Sequence, residues 1–437
     1  MEEDAEQPTL GRVLDAAEDA SPVQAVEAVT EVLLGTLGAL SSSFLVADLS
    51  GRALVRLAHR SAGDPPTSRL SSDGDRRDAR ESAAVLPFDG GAAEHALRTQ
   101  TVQVLAAGAP PPDGTAGEWT VFAPVTERGE TLGLLEMVLR EAPDSAVLEH
   151  IRRAAHLLAF VVIANRRHTD LFEWGQRTTP FSLAAEIQRR LLPAAFTCEA
   201  GAFTLSAWLE PAASVGGDTF DYSLARDVLH VSVTDAMGHG TDSALTATLC
   251  VGSLRNSRRV GSTLLEQASA ANAALVEHAT TIDGDGFATG LLGRLDLRTG
   301  RLSLVNAGHV PPFLIRDGEV TVIELPADMP MGMFPGSTYC STDLWLRSGD
   351  RLLLVTDGML ERTAAQLDLT AALVTTRSMH PREASRYLAD AVLAVTGPAL
   401  PDDATLLVLD WHGRHHRNRS SVAGADPARA SEPAHSA

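Results

Sequence analysis

The stretch Val228-Leu-His-Val-Ser-Val-Thr-Asp-Ala-Met-Gly-His-Gly240 constrains this chain more than any other. Its first half alternates apolar and polar residues, the two-residue period of a half-buried β-strand. The strand closes on Asp235, and Gly238 and Gly240 then permit a turn too tight for most side chains. A carboxylate at the mouth of a strand, beside bare backbone, suits a hard cation that takes oxygen from a side chain and from a carbonyl. Alone, the pattern also fits an ordinary turn former or helix cap. Three more aspartates stand in similar settings. Asp218 follows Gly216-Gly217, Asp357 follows the apolar run 352–355, and Asp402 opens the alternating stretch that ends the folded sequence. If those strand ends converge, four carboxylates share a cleft, and like charges at that range must take up protons or cations. Oxygen donors without Cys or His select Mg²⁺ or Mn²⁺ over Zn²⁺. Four carboxylates with waters suffice for two ions about 4 Å apart, a spacing that activates water for attack on a phosphoryl group.

The chain is too long, at 437 residues, for one ordinary core, and its 44% hydrophobic content can fill two. Its formal charge of −20 argues against a nucleic-acid binder. All 36 basic residues are arginine, which excludes a P-loop lysine and Schiff-base chemistry. Cys198, Cys250 and Cys340 are too widely spaced for a zinc site and odd in number for a disulfide framework. The acidic start lacks a signal-peptide pattern, and the most apolar run, 154–164, falls short of the roughly 20 residues that span a bilayer. A cytoplasmic protein without a membrane span is expected.

Along the chain, residues 1–19 read as a flexible terminus. Residues 20–165 give a helix, a strand pair, a long polar loop over 61–83, a second helix, further strands and a closing helix. That order resembles a GAF sensory domain, which implies a small-molecule or protein signal; a purely structural or dimerising domain fits the pattern equally. Residues 145–193 read as a helical linker that overlaps both neighbours. Leu148, Ile151, Ala155, Leu158 and Val162 have coiled-coil spacing over about two heptads, so a homodimer through this helix is expected, although a core helix has the same spacing. Ser182 can cap a helix whose apolar stripe is Leu183, Ile187 and Leu191. Residues 182–411 alternate strands and grouped helices, hence an α+β fold. The tail, 412–437, has little to bury and reads as disordered.

Six motifs then occur in order: 183–193 (LAAEIQRRLLP), 215–221 (VGGDTFD), 235–240 (DAMGHG), 306–312 (NAGHVPP), 356–361 (TDGMLE) and 402–405 (DDAT). Together they resemble the PPM, or protein phosphatase 2C, superfamily in its bacterial SpoIIE branch. The resemblance implies a sandwich of two antiparallel sheets flanked by helices, and a metal-dependent serine/threonine phosphoprotein phosphatase. It implies two Mn²⁺ or Mg²⁺ ions, with Asp235 bridging both, the Ala236 carbonyl and Asp218 completing one site, and Asp357 and Asp402 holding the other. Asp221, Gly238, His239, Gly358, Glu361 and Asp403 are then supporting residues. The implied substrate is a phosphorylated STAS-type anti-sigma-factor antagonist. Thr219, where an aromatic is usual, and the stretch after Glu361 depart from the pattern. A catalytically dead phosphatase fold that only binds partners is the main alternative; a diguanylate-cyclase-like enzyme, suggested by Gly216-Gly-Asp-Thr-Phe220, leaves Asp357 and Asp402 unexplained.

Overall fold

The computed structural model describes residues 3–48, 53–63, 85–87, 90–106, 117–176, 182–210, 216–282, 286–360, 368–397, 400, 402–414, 419 and 421–431. The chain divides into two compact units, Phe181–Arg419 and a second built from Met1–Pro180 with Ser420–Ala437.

The N-terminal unit is one antiparallel sheet of β1 (Ser41–Ala47), β2 (Ala53–Ser61), β3 (Val85–Pro87), β4 (Gln103–Ala106), β5 (Trp119–Glu127) and β6 (Glu130–Leu139), in the order β3-β2-β1-β6-β5-β4. Helices Ala25–Leu37 and Ser145–Asn165 cover one face, around Val29, Leu33, Phe44, Leu135, Met137 and Leu158. Helix Ala92–Thr99 covers the other, where Ala96 and Leu97 meet Leu45, Leu54, Phe122 and Leu134. Three expectations are corrected here. The start of the chain forms a helix, Glu3–Asp19, because Val13 and Ala17, one turn apart, are buried in the core of the N-terminal unit. Ile151, Ala155, Leu158 and Val162 are buried in that same core, so the stripe read as a dimer seam is an intramolecular face. Heptad spacing and core-helix spacing differ too little over two turns to separate the two readings by sequence. The helical linker, expected to break only near 178–180, breaks earlier: the helix stops at Asn165 and is followed by a 3₁₀ turn over Arg166–His168 and a short helix, Leu171–Gly175, while the expected break lies outside the described residues.

A fourth correction concerns the tail. Residues 421–431 belong to the N-terminal unit and bury Ala425, Asp426 and Ser431.

The second unit contains two antiparallel sheets. One holds β9 (Thr219–Leu224), β10 (Val228–Ala236), β11 (Ala288–Asp296), β12 (Arg301–Ala307) and β15 (Thr342–Trp345), in the order β15-β12-β11-β10-β9. The other holds β7 (Thr197–Ala200), β8 (Phe203–Glu210), β13 (Phe313–Arg316), β14 (Glu319–Val322), β16 (Arg351–Val355) and β17 (Ala404–Trp411), in the order β14-β13-β16-β17-β8-β7. Their inner faces interlock through Phe203, Leu205, Phe220, Val231, Val233, Leu291, Leu352, Leu354, Leu407 and Leu409. Helices Gly240–Arg259 and Leu264–Ile282 pack outside the first sheet, and helices Leu369–Thr375 and Pro381–Thr396 outside the second. This is the α-β-β-α sandwich expected. Every residue of β16 is buried, as its unbroken apolar run requires. Among the described residues no helix is long and apolar enough to cross a membrane.

Leu158, fully buried, gives the core of the N-terminal unit a direct test. Leu158→Ala should cost the N-terminal unit about 2–5 kcal/mol, read as a lower denaturation midpoint. A shift in oligomeric state with unchanged stability would restore the dimer seam.

Candidate metal centre

The four aspartates sit at the ends of strands from both sheets. Asp218 precedes β9, Asp235 is the penultimate residue of β10, Asp357 follows β16, and Asp402 with Asp403 precedes β17. Backbone approach at this edge is close enough to require glycine. A Cβ on Gly217 would stand 2.3 Å from the Ala236 carbonyl oxygen, and one on Gly358 would stand 1.9 Å from the Asp403 carbonyl oxygen. At Gly216 it would meet Asp403 Oδ2 at 2.8 Å and Asp402 Oδ1 at 3.1 Å. The two Gly-Asp motifs are therefore steric requirements of the cluster, and no side chain separates its carboxylates. Gly238 and Gly240 adopt φ of +100° and +75°, the left-handed turn foreseen after Asp235.

The electrostatics bind these residues into one group. Asp218 is buried, and burial, followed by the charges of Asp235 and Asp403, holds its pKa well above the usual carboxylate range. Burial and the charges of Asp357, Asp402 and Asp403 push Asp235 up to about 7. Asp402 is raised as well, first by burial. The cluster is held by neutral donors. Thr356 Oγ1 donates to Asp218 Oδ2 at 2.7 Å. Gln188, buried on helix Leu183–Leu191, donates to the Asp218 carbonyl at 2.8 Å and to Asp403 Oδ2 at 2.5 Å. Neutral donors orient carboxylates without neutralising them, which leaves the excess negative charge for a cation or a proton.

Oxygen donors at this density, with a backbone carbonyl among them, fit hard divalent cations. Among the described residues, no three His, Cys, Asp or Glu side chains already form a cage for one ion. The aspartates are spread along the strand ends, so an ion here would complete its shell with carbonyl and water oxygens.

Several supporting residues differ from expectation. Asp221 faces away from the cluster: its carboxylate pairs with Arg255 at 2.8 Å and Arg258 at 3.0 Å, tying β9 to helix Gly240–Arg259. Asp403, read as secondary to Asp402, is the more buried of the two and is the one gripped by Gln188; Asp402 Oδ1 accepts from the Asp403 backbone N–H. His239 is exposed on the turn. Gly358 is buried beneath Asp403, and Glu361 lies outside the described residues. His309, the other histidine of the motifs, bridges Thr289 and the Val355 carbonyl, and burial lowers its pKa to about 4, which makes it a neutral structural crosslink.

Sequence reasoning missed Gln188 and Thr356. Helical periodicity placed Leu183, Ile187 and Leu191 inward, yet Leu183 is 68% exposed and Ala184, Ala185 and Gln188 face in. Small residues let this helix approach Ala244 closely, so its buried side is the less apolar one.

Residues 225–412 match the family model described as Stage II sporulation protein E (SpoIIE). The chain is 23% identical over 233 residues to the phosphoserine phosphatase RsbU of Bacillus subtilis, covering 52% of this chain and 68% of that one. It is 27% identical over 205 residues to protein IcfG of Synechocystis, covering 40% of this chain and only 32% of the relative. The solved RsbU and RsbW domains of Rv1364c from Mycobacterium tuberculosis align at 27% identity and a TM-score of 0.43, over 49% of this chain and 61% of that one.

The raised carboxyl pKa values fix the sign of a pH effect. A carboxyl whose folded pKa exceeds its unfolded one contributes full stability below the unfolded value and loses that contribution as pH rises through the folded value. With chelator present, the melting temperature of the phosphatase-fold unit should therefore fall between about pH 5 and pH 8, and Mn²⁺ or Mg²⁺ should raise it more at the higher pH. Equal shifts at both pH values would contradict the electrostatic picture.

Proposed function

We propose, from the premise that the region around residues 225–412 is a SpoIIE-family, PP2C-type phosphatase domain, that this chain hydrolyses phosphoserine or phosphothreonine on a partner protein. The observation that carries the reading is the convergence of buried, like-charged aspartates from the strand ends of two sheets, oriented by neutral donors. Asp235 would serve both members of a pair of Mn²⁺ or Mg²⁺ ions, with the Ala236 carbonyl on one of them. Asp218 would complete one site, and Asp357 with Asp402 the other. Such ions supply hydroxide near neutral pH and positive charge opposite the phosphoryl transition state. The chain's own residues do the orienting: Thr356 fixes one Asp218 oxygen, Gln188 fixes Asp403, and Gly216, Gly217 and Gly358 keep bulk out of the cleft.

The domain assignment proposed is 182–411 for the phosphatase and 20–165 for a GAF-like sensor, whose six-stranded antiparallel sheet with helices on both faces supports it. The substrate class proposed, by family resemblance, is a phosphorylated STAS-type anti-sigma-factor antagonist, and the sensor's input a small molecule or protein. Gln188 offers a route for control, since a shift of its helix would disturb Asp218 and Asp403 together.

Asp235→Asn should lower Mn²⁺-dependent phosphate release from a phosphorylated antagonist by at least about 10²-fold, because a shared anionic ligand is lost. Full turnover in a folded Asp235→Asn protein would refute the assignment.

A further inference from the structure

Three segments of the N-terminal unit, helix Glu3–Asp19, helix Ser145–Asn165 and residues 421–423, surround an open cavity of about 630 Å³. That volume falls within the range of small-molecule sites, roughly 300–1,000 Å³. The body of the cavity is apolar. Leu14, Phe160 and Val422, one from each segment, line it while 48%, 49% and 40% exposed, and Leu157 lines it beside them. Single exposed apolar side chains are ordinary on a surface, but three that converge on one void mark a binding site. Gly11 lines the same void from the interior of its helix, where glycine weakens the helix. A Cβ there would meet nothing within 4 Å, so no packing neighbour requires the glycine, and its effect is to leave the cavity open.

One end of the cavity is cationic. Arg152 grips the Glu149 carboxylate through Nε, at 2.8 Å, and through Nη2, while Arg153 Nε donates to the other carboxylate oxygen at 2.8 Å. The hydrogen bond from Arg152 leads the causes that hold the Glu149 pKa below its ordinary value, so this acid is ionised. Two arginines against one glutamate still leave the lining with one positive charge in excess.

The wall formed by 421–423 is held in an unusual shape. Val422 N–H donates to the Ala425 carbonyl at 2.8 Å, and Ala425 N–H to the Val422 carbonyl at 3.3 Å, closing a tight turn. Both central residues have positive φ, +51° at Ala423 and +94° at Gly424, and an alanine rarely adopts that conformation. The Gly424 carbonyl accepts from Gly129 N–H at 3.0 Å. A Cβ on Gly424 would lie 1.9 Å from the Thr126 carbonyl oxygen and 2.8 Å from His156 Nδ1, so only glycine fits that seat. Asp426, buried beside it, caps Ala428 N–H and pairs with Arg429. His156 Nδ1 donates to the same Thr126 carbonyl at 3.0 Å, and its ring stands edge-on to Phe160 with centroids 5.1 Å apart. Strain of this kind persists where the surroundings enforce it, and here its outcome is a third wall for the cavity.

We propose that this cavity binds an amphipathic anion, a carboxylate with an aliphatic body. Its head would lie at Arg152 and Arg153, and its chain against Leu14, Leu157, Phe160 and Val422. Charge complementarity selects the head, and the apolar body selects the chain. A small ligand fits better than a second copy of this chain, because the apolar groups face a concavity from three segments and do not stand along one ridge. The proposal gives a place and a chemistry to the sensor input, and rests on the sensor reading for that role alone.

Dodecanoate, titrated into the full chain below its micelle concentration and followed by calorimetry, should bind at one site. It should bind about tenfold or more tighter than the uncharged dodecanol, and Arg152→Gln with Arg153→Gln should erase that preference. Phe160→Ser removes an apolar wall and Gly11→Leu fills the cavity, so each should weaken dodecanoate by about tenfold or more. Gly11→Leu should do so without lowering the melting temperature, because it also favours the helix. No binding by wild type, equal binding of acid and alcohol, or equal affinity in every variant overturns the site. Binding to vesicles of acidic phospholipid in place of free dodecanoate overturns it as well. So does a dimer that takes up no dodecanoate and that Phe160→Ser dissociates, since a second copy would then own this face. Binding that follows the predicted pattern in a chain without Mn²⁺-dependent turnover supports the site and counts against the phosphatase reading alone.

Discussion

Repulsion among the aspartates at the strand ends is the interaction on which the rest of this unit depends. Burial alone disfavours a charged carboxylate; the charges of Asp235 and Asp403 add to that penalty at Asp218, and those of Asp357, Asp402 and Asp403 add to it at Asp235. A flexible scaffold would relieve the strain by letting them part. This one cannot, because each aspartate is attached to the end of a strand in a stiff two-sheet core. Stability is thereby traded for a site that attracts divalent cations, a compromise common where folds carry chemistry.

The supports around the cluster follow from that constraint. Thr356 and Gln188 orient carboxylates with neutral hydrogen bonds, since a cationic donor would compete with a metal. Arginines are kept to the flank, where Arg255 and Arg258 secure Asp221 and lock helix Gly240–Arg259 against β9. That helix begins at the Gly238-His239-Gly240 turn, so its anchorage also fixes the chain just beyond Asp235. His309 performs a similar service between β11 and β16, through Thr289 and the Val355 carbonyl.

Much of this was legible in the sequence because it is written in local patterns. The alternation through 228–235, the solid apolar run 352–355 and the Gly-Asp pairs each report a backbone environment, and the structure places them as read. What stayed hidden depends on the partner an element meets. The heptad-like residues of helix Ser145–Asn165 face their own domain's core, and nothing in their spacing distinguishes that from a second protomer. Leu183 lies outside and Gln188 inside because a polar cleft, not an apolar core, receives that helix. The tail looked too polar to dock, yet a glycine seat, a buried aspartate and one arginine hold it, and composition does not weigh such individual contacts.

Anomalous diffraction at the manganese edge from crystals grown with Mn²⁺ tests the central claim most directly. The account predicts peaks within about 2.0–2.6 Å of carboxylate oxygens of Asp218, Asp235, Asp357 and Asp402 and of the Ala236 carbonyl, at ordinary hard-cation distances. Manganese bound elsewhere, with these carboxylates vacant and protonated, would contradict it.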